Sequence, residues 1–214
     1  VVATDGSVMA ITAPTYRLPS VPKISAGYWS GPGLDLIDLF IGSEGTLGVV
    51  VEATLRVVTR PRTCVVVLVC DSEHRAVDLT RVLREASATG TLDVAAIEYV
   101  DAHALALLDD DAFTRAGLPR PSPGCTLLIA QIEVGAEEAQ PSLETLGGML
   151  DAHGWATDPM VALPDDDRGR ARIFELREAV PATVNRLVAQ SKARVDPRIQ
   201  KTAGDMIVPF DQLE

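Results

Sequence analysis

The longest purely apolar run of this chain, Cys64 to Cys70, constrains its fold more than any other feature. A membrane-spanning helix needs roughly 20 apolar residues, and this run stops well short of that at Asp71. Its valines, Val65, Val66, Val67 and Val69, favour a strand buried in a sheet. Ser72 then has the chemistry of a helix N-cap, and Gly90 stands just past the end of a helix reaching Ala88. Between them Ala76, Leu79, Leu83 and Ala86 form one apolar stripe at helical spacing.

A second strand is predicted from about Leu92 to Val100 and a third from Cys125 to Val134. A second helix follows, with Ala139, Leu143, Leu146 and Leu150 at helical spacing, and ends at Gly154. Strand, helix, strand, strand, helix is most of a ferredoxin-like βαββαβ unit. A further helical stretch lies between Leu163 and Arg194. Asp165-Asp166-Asp167 opens it where negative charge complements a helix dipole, and Pro181 is expected to interrupt it.

Residues 1 to about 58 read as the tail of a β-rich domain. Val1 to Val8 has a strand-turn-strand pattern with Asp5-Gly6 at the corner, so the chain is expected to open in the middle of a fold. Turns follow at Pro14, Pro19, Pro22, Gly31, Pro32 and Gly33. From Val51 to Val57, Val51, Ala53, Leu55 and Val57 alternate with Glu52, Thr54 and Arg56, the pattern of a half-buried strand. Arg60-Pro61-Arg62 breaks it, which sets the expected domains at 1–60 and 61–214.

The net charge of -11 argues against a nucleic-acid partner, because phosphate binding needs a basic face and no basic stripe is present. At 214 residues, 47% hydrophobic and 23% charged, the composition is that of an ordinary soluble globular protein. Cys64, Cys70 and Cys125 have no metal-binding spacing, and as reduced, buried thiols they fit a cytoplasmic location. His74, His103 and His153 are expected on exposed helix surface; no pair of them has the spacing of metal ligands, so no metal site is assigned.

Ile41-Gly42-Ser43-Glu44-Gly45-Thr46-Leu47-Gly48-Val49-Val50 packs glycines closely and then runs towards a strand pattern. Glycines so placed let backbone approach a ligand and turn amide N–H groups towards phosphate or ring oxygens. Together with Asp35-Leu36-Ile37-Asp38-Leu39-Phe40 before it, the string resembles the second half of the FAD-binding domain of the FAD-linked oxidases. That family includes D-lactate dehydrogenase, the glycolate oxidase flavin subunit and D-2-hydroxyglutarate dehydrogenase. The resemblance implies an α+β chain: the C-terminal part of a vanillyl-alcohol-oxidase-type FAD-binding domain followed by a ferredoxin-like α/β cap domain. It also implies FAD as cofactor, contacted largely through backbone at Glu44, Gly45, Thr46, Leu47, Gly48, Val49 and Val50.

Oxidation of a D-2-hydroxy acid needs a hydride acceptor, a carboxylate anchor and a base. Phe174-Glu175-Leu176-Arg177-Glu178 resembles the family's helix whose arginine binds the carboxylate, which makes Arg177 a substrate-binding candidate. Lys201-Thr202-Ala203-Gly204-Asp205-Met206-Ile207-Val208-Pro209 resembles the strand whose lysine points at the substrate's acidic end, which adds Lys201. Pro181 stands where some members carry a threonine, so a polar clamp on a second carboxylate is not expected. Lys23-Ile24-Ser25-Ala26-Gly27-Tyr28 matches a family segment only loosely and supplies no site residue. Glu98-Tyr99-Val100-Asp101 looks like a cap-domain segment and is given no catalytic role.

No residue is assigned as catalytic base. In the family, base and metal ligands come from a histidine-rich segment that would lie beyond Glu214, and the pyrophosphate-binding glycine loop precedes the stretch present here. The resemblance therefore implies a fragment truncated at both ends, which alone neither holds FAD tightly nor turns over substrate. The implied partners are a small 2-hydroxy-acid substrate and an unidentified electron acceptor, and a homodimer is compatible with the family. Two alternatives stay open: another flavoenzyme of the alkylglycerone-phosphate synthase or aryl-alcohol oxidase type, and a non-catalytic ferredoxin-like binding module.

Overall fold

The computed structural model describes residues 5–8, 10, 12, 14–21, 24, 27–155, 158–204 and 208–212. The chain divides into two compact units, Thr59–Thr202 and a second made of Val1–Val58 with Ala203–Glu214.

In the larger unit, the apolar run becomes strand β1 (Arg62–Cys70), followed by a helix over Glu73–Thr89, strand β2 (Asp93–Val100) and strand β3 (Thr126–Val134). A second long helix spans Ala139–Ala152, and a short strand β4 covers Met160–Ala162. The strands lie in the order β2-β3-β1-β4 with every neighbour antiparallel. This is the ferredoxin-like arrangement, two interleaved βαβ units sharing one sheet.

β1 is apolar at successive positions because it is central and covered on both faces. Val66, Leu68 and Cys70 join a core with Ala76, Leu79, Leu83 and Ala86 of the first long helix and Leu146 and Leu150 of the second. Val65 and Val67 point the other way, into a core with Phe113, Leu127, Ile129, Ile173 and Leu176. Burying each valine, leucine, isoleucine or phenylalanine among these contributes about 1.5–3 kcal/mol. The Ser72 hydroxyl accepts the Arg75 amide at 3.4 Å, and Gly90 closes the helix in the left-handed conformation at φ 74.

In chain order the helices are α1 (Leu36–Phe40), α2 (Glu73–Thr89), α3 (Ala102–Ala106), α4 (Asp110–Ala116), α5 (Ala139–Ala152) and α6 (Asp167–Arg194). The sequence reading did not anticipate α3, α4 or β4. Asp101 and Asp109 cap the two short helices, accepting the amides of Ala104 at 2.8 Å and Ala112 at 3.0 Å.

Three expectations are corrected. α6 runs unbroken past Pro181: a proline removes only its own N–H and strains one turn, and a 28-residue helix packed through Ile173 and Leu176 retains its other bonds. Val51–Val57 is not a strand and is exposed throughout. Its alternation specifies a strand only where another strand supplies the ladder, and among the described residues none does. Residues 5–58 are likewise not β-rich where described: they carry α1, turns and a single bridge residue at Val8.

Several expectations fall outside the described residues: Val1–Thr4 of the first hairpin, Pro22, Lys23, Ser25 and Ala26, and Asp205-Met206-Ile207 of the lysine strand. The described flanks of that last segment, Lys201–Gly204 and Val208–Pro209, are not strand.

Candidate functional site

In the larger unit the candidate site is built where α6 crosses one end of β2. Strand alternation sends Glu98 and Val100 to the face occupied by Ile129, its cross-strand partner being Glu98 itself. α6 packs on that face through Ile173 and Leu176. Arg177 lies one turn beyond Ile173, so the same packing carries its guanidinium to Glu98.

Arg177 Nε donates to Glu98 Oε2 and Nη1 donates to Glu178 Oε1 at 2.7 Å. The hydrogen bond to Glu98, and then its charge, hold the guanidinium above its ordinary pKa. Beside it opens a shallow cavity of about 260 Å³, lined by Glu98, Tyr99, Val100, Glu178, Val180 and Pro181.

Lys201 Nζ donates to Asn185 Oδ1 at 3.1 Å. Asn185 follows Arg177 by eight residues on α6, roughly 12 Å along the axis. Both cationic candidates are thus tied to one helix of one unit. Glu98 was not singled out as a site residue from the sequence. The signal was present in the Glu98-Tyr99-Val100-Asp101 segment, whose Asp101 caps α3 while Glu98 meets the arginine.

Tyr99 leaves β2 on the opposite face, where its hydroxyl donates to Glu73 Oε1 at 3.2 Å. Burial, reinforced by the Glu73 charge, pushes its pKa up to about 12, so it is a fixed neutral donor at ordinary pH. His74, His103 and His153 are all exposed. Among the described residues no group of His, Cys, Asp and Glu side chains is placed to hold a metal ion, and no helix is long and apolar enough to cross a membrane.

In the smaller unit, α1 begins with a reciprocal cap: Asp35 Oδ1 accepts the Ile37 amide at 3.3 Å and Asp38 Oδ2 accepts the Asp35 amide at 2.8 Å. The chain leaves it through a tight loop. Gly42 and Gly45 hold φ values of 75 and 77, and Glu44, at φ 50, is the non-glycine residue of the described chain in this region. Ser43 anchors the turn: its carbonyl accepts the Thr46 amide at 3.0 Å and the Thr46 hydroxyl at 2.6 Å. Tyr28 braces it from outside, its hydroxyl 2.7 Å from Thr46 Oγ1.

Among the described residues the amides of Glu44, Gly45, Leu47, Gly48, Val49 and Val50 have no hydrogen-bond acceptor. Among the described residues a Cβ built at Gly45 would meet nothing within 4 Å, so the backbone there is open to a ligand. Unpaired donors on an open, left-handed turn fit the ring and phosphate oxygens of FAD, the group implied by the resemblance.

The family described as FAD linked oxidases, C-terminal domain, matches residues 59–213. D-2-hydroxyglutarate dehydrogenase of Stutzerimonas stutzeri (strain A1501) is 31% identical over 156 residues, 72% of this chain and 31% of that protein. Probable mitochondrial D-lactate dehydrogenase of Danio rerio is 39% identical over 103 residues, 47% of this chain and 18% of that protein. Glycolate oxidase subunit GlcD of Bacillus subtilis (strain 168) is 33% identical over 99 residues, 46% of this chain and 20% of that protein. The chain therefore spans between 18% and 31% of the length of these relatives. With the match covering most of its length and the α+β sheet and helices in place, this chain belongs to the FAD-linked oxidases, a family of flavoprotein oxidoreductases, through their C-terminal domain.

Proposed function

We propose that this chain supplies one wall of the flavin site and the substrate-anchoring helix of an FAD-dependent oxidoreductase acting on a D-2-hydroxy acid. The substrate class is that of lactate, glycolate and 2-hydroxyglutarate, on which the named relatives act. The observation that carries the reading is Arg177: a guanidinium fixed on a packed helix beside a small cavity, with Lys201 tied to the same helix. A substrate carboxylate accepts two parallel N–H bonds from such a fork.

In this reading residues 1–60 end the FAD-binding domain, and 61–214 belong to the domain that binds substrate. The amides of Glu44, Gly45, Leu47, Gly48, Val49 and Val50 donate to the cofactor, and Thr46 holds the loop in shape through Ser43 and Tyr28. Bound FAD supplies the hydride acceptor. Arg177 fixes the carboxylate, Lys201 adds positive charge near α6, and Pro181 offers no hydrogen-bond donor where a longer acid would need a second clamp. No residue of this chain is assigned the hydroxyl proton, and the electron acceptor that reoxidises the flavin is a separate partner.

The test is the visible spectrum of the protein made from the complete open reading frame, before and after anaerobic addition of D-lactate, glycolate or D-2-hydroxyglutarate. Flavin absorbance that bleaches with one of them supports the reading and identifies the substrate. A colourless protein overturns the flavin assignment, and a yellow protein bleached by none overturns the substrate class.

A further inference from the structure

We infer that Glu98 is the positioning residue that aims Arg177, and that Glu178 is a resident carboxylate which an incoming acid displaces. The inference rests on the reading of Arg177 as the carboxylate anchor. A guanidinium offers a carboxylate two flat edges, Nε with Nη2 and Nη1 with Nη2. Glu98 takes Nε, which closes the first edge. Glu178 takes Nη1, which half-closes the second. A substrate can be gripped through two parallel bonds only if one of these glutamates gives way.

The two are not equivalent. Glu98 stands on a strand locked into the sheet by its pairing with β3, and its side chain is 29% exposed. Glu178 is the next residue after Arg177 on α6, and its side chain is 63% exposed. Neighbouring residues on a helix do not face each other, so this direct contact reaches sideways across the solvent-exposed surface of the helix and is weakly held. Two carboxylates around one guanidinium leave the cluster net anionic before substrate arrives. Binding an acid by exchange with Glu178 keeps that charge constant, whereas binding beside both glutamates would add a further negative charge to the cluster. The end-on edge of Nη1 and Nη2 is therefore the receptor, and Glu98 sets its direction.

The experiment uses the FAD-loaded protein from the complete open reading frame. Oxalate binding is measured by calorimetry, and KM and kcat for D-lactate are measured alongside. Glu178→Gln is expected to tighten oxalate about threefold, the share of a screened surface ion pair. Glu98→Gln is expected to weaken it about tenfold, the share of one charge-assisted hydrogen bond, with Glu98→Asp recovering part of the loss. In the kinetics both effects fall more on KM than on kcat.

If Glu98 acted only as a negative charge, its removal would tighten oxalate as the removal of Glu178 does, and that result overturns the inference. A Glu178→Gln protein that binds no tighter than the parent overturns the displacement step even where the Glu98 variant fails to fold. Arg177→Lys separates the two layers of argument: oxalate binding that is absent, or unchanged by that substitution, removes the anchor itself and this inference with it.

Discussion

The Lys201 ammonium donates to the Asn185 side-chain oxygen at 3.1 Å, and Asn185 stands on the helix that carries Arg177. A lysine stem has four rotatable bonds and gains little from one exposed partner, so the contact directs the charge more than it stabilises the fold. Asn185→Ala should leave thermal stability within about 0.5 kcal/mol. It should raise KM for a D-2-hydroxy acid roughly two- to fivefold, because the freed ammonium samples more of its rotamers. Steady-state kinetics on the flavin-loaded protein check this, and an unchanged KM would show that Lys201 does not face the substrate.

Arg177→Lys retains a positive charge and loses the planar fork. At a site where two parallel bonds are required this is not a conservative change. The expected loss in kcat/KM is on the order of 10- to 100-fold, with the folded content by circular dichroism unchanged, since the side chain is 43% exposed. A loss below twofold would mean that the carboxylate is held elsewhere.

Pro181 lines the same cavity as Arg177 and sits inside an otherwise regular helix. Its missing N–H leaves the Arg177 carbonyl, four residues earlier, without its helical donor. Pro181→Thr restores that donor and adds a hydroxyl to the cavity. We expect thermal stability to rise and the ratio of kcat/KM for D-2-hydroxyglutarate over D-lactate to increase roughly tenfold, the contribution of about one hydrogen bond. A ratio that does not move would exclude this wall from substrate discrimination.

Much of the larger unit was legible because its signals are local. β1 announces itself by being apolar on both faces, and α2 by its Ser72 cap, its Ala76-Leu79-Leu83-Ala86 stripe and Gly90. α3 and α4 carried signals too, in the Asp101 and Asp109 caps and in Gly117 at φ 74, but each helix is too short to show a periodicity. β4 spans Met160–Ala162 and exists only because β1 offers it an edge.

The misreadings share a cause, which is that the deciding partner lies far away in the sequence. Val51–Val57 has the pattern of a strand and no ladder to join among the described residues. Pro181 has the signature of a helix breaker, overridden by the packing of α6 on the sheet. Glu98 is an unremarkable strand-end acid until Arg177, 79 residues later, arrives beside it. Arg177 and Lys201 could be proposed from the chain alone, while the side chains that meet them, Glu98 and Asn185, could not.

The loop proposed to contact flavin gives a test with a binding readout. Gly45 adopts φ 77, and among the described residues nothing stands within 4 Å of where a Cβ would be, so Gly45→Ala costs the backbone term, about 1 kcal/mol. The unliganded variant loop can relax away from this φ and must recover it on binding, so flavin titration by fluorescence should show FAD held about fivefold more weakly, with the global Tm nearly unchanged. Tyr28→Phe removes the outer brace on Thr46 and should act in the same direction.

Alkaline stability tests the core independently of any ligand. Burial pushes the Cys70 thiol from 9.0 to about 11; Tyr99, on the same face of the sheet, rises from 10.0 to about 12, but it is 47% exposed, so solvent screening leaves its share of the stability small. Both groups are neutral when protonated, and both folded values lie above the ordinary ones. The unfolded chain therefore releases these protons first as pH rises, and each contribution is complete below the ordinary value and lost up to the folded one. The Tm should hold its neutral value up to about pH 9 and then fall towards pH 11, where the Cys70 window ends, with only a shallow further decline towards pH 12 from Tyr99. Substituting Cys70 by alanine should remove the lower part of that slope while also costing stability at neutral pH, since the side chain is fully packed. Iodoacetamide provides a second reading on the same thiols at pH 8. The half-buried Cys125 should react first, and Cys64 and Cys70 should be modified only on unfolding. A Tm that is flat from pH 9 to 12, or early alkylation of Cys70, would contradict the buried, neutral thiol at the end of β1.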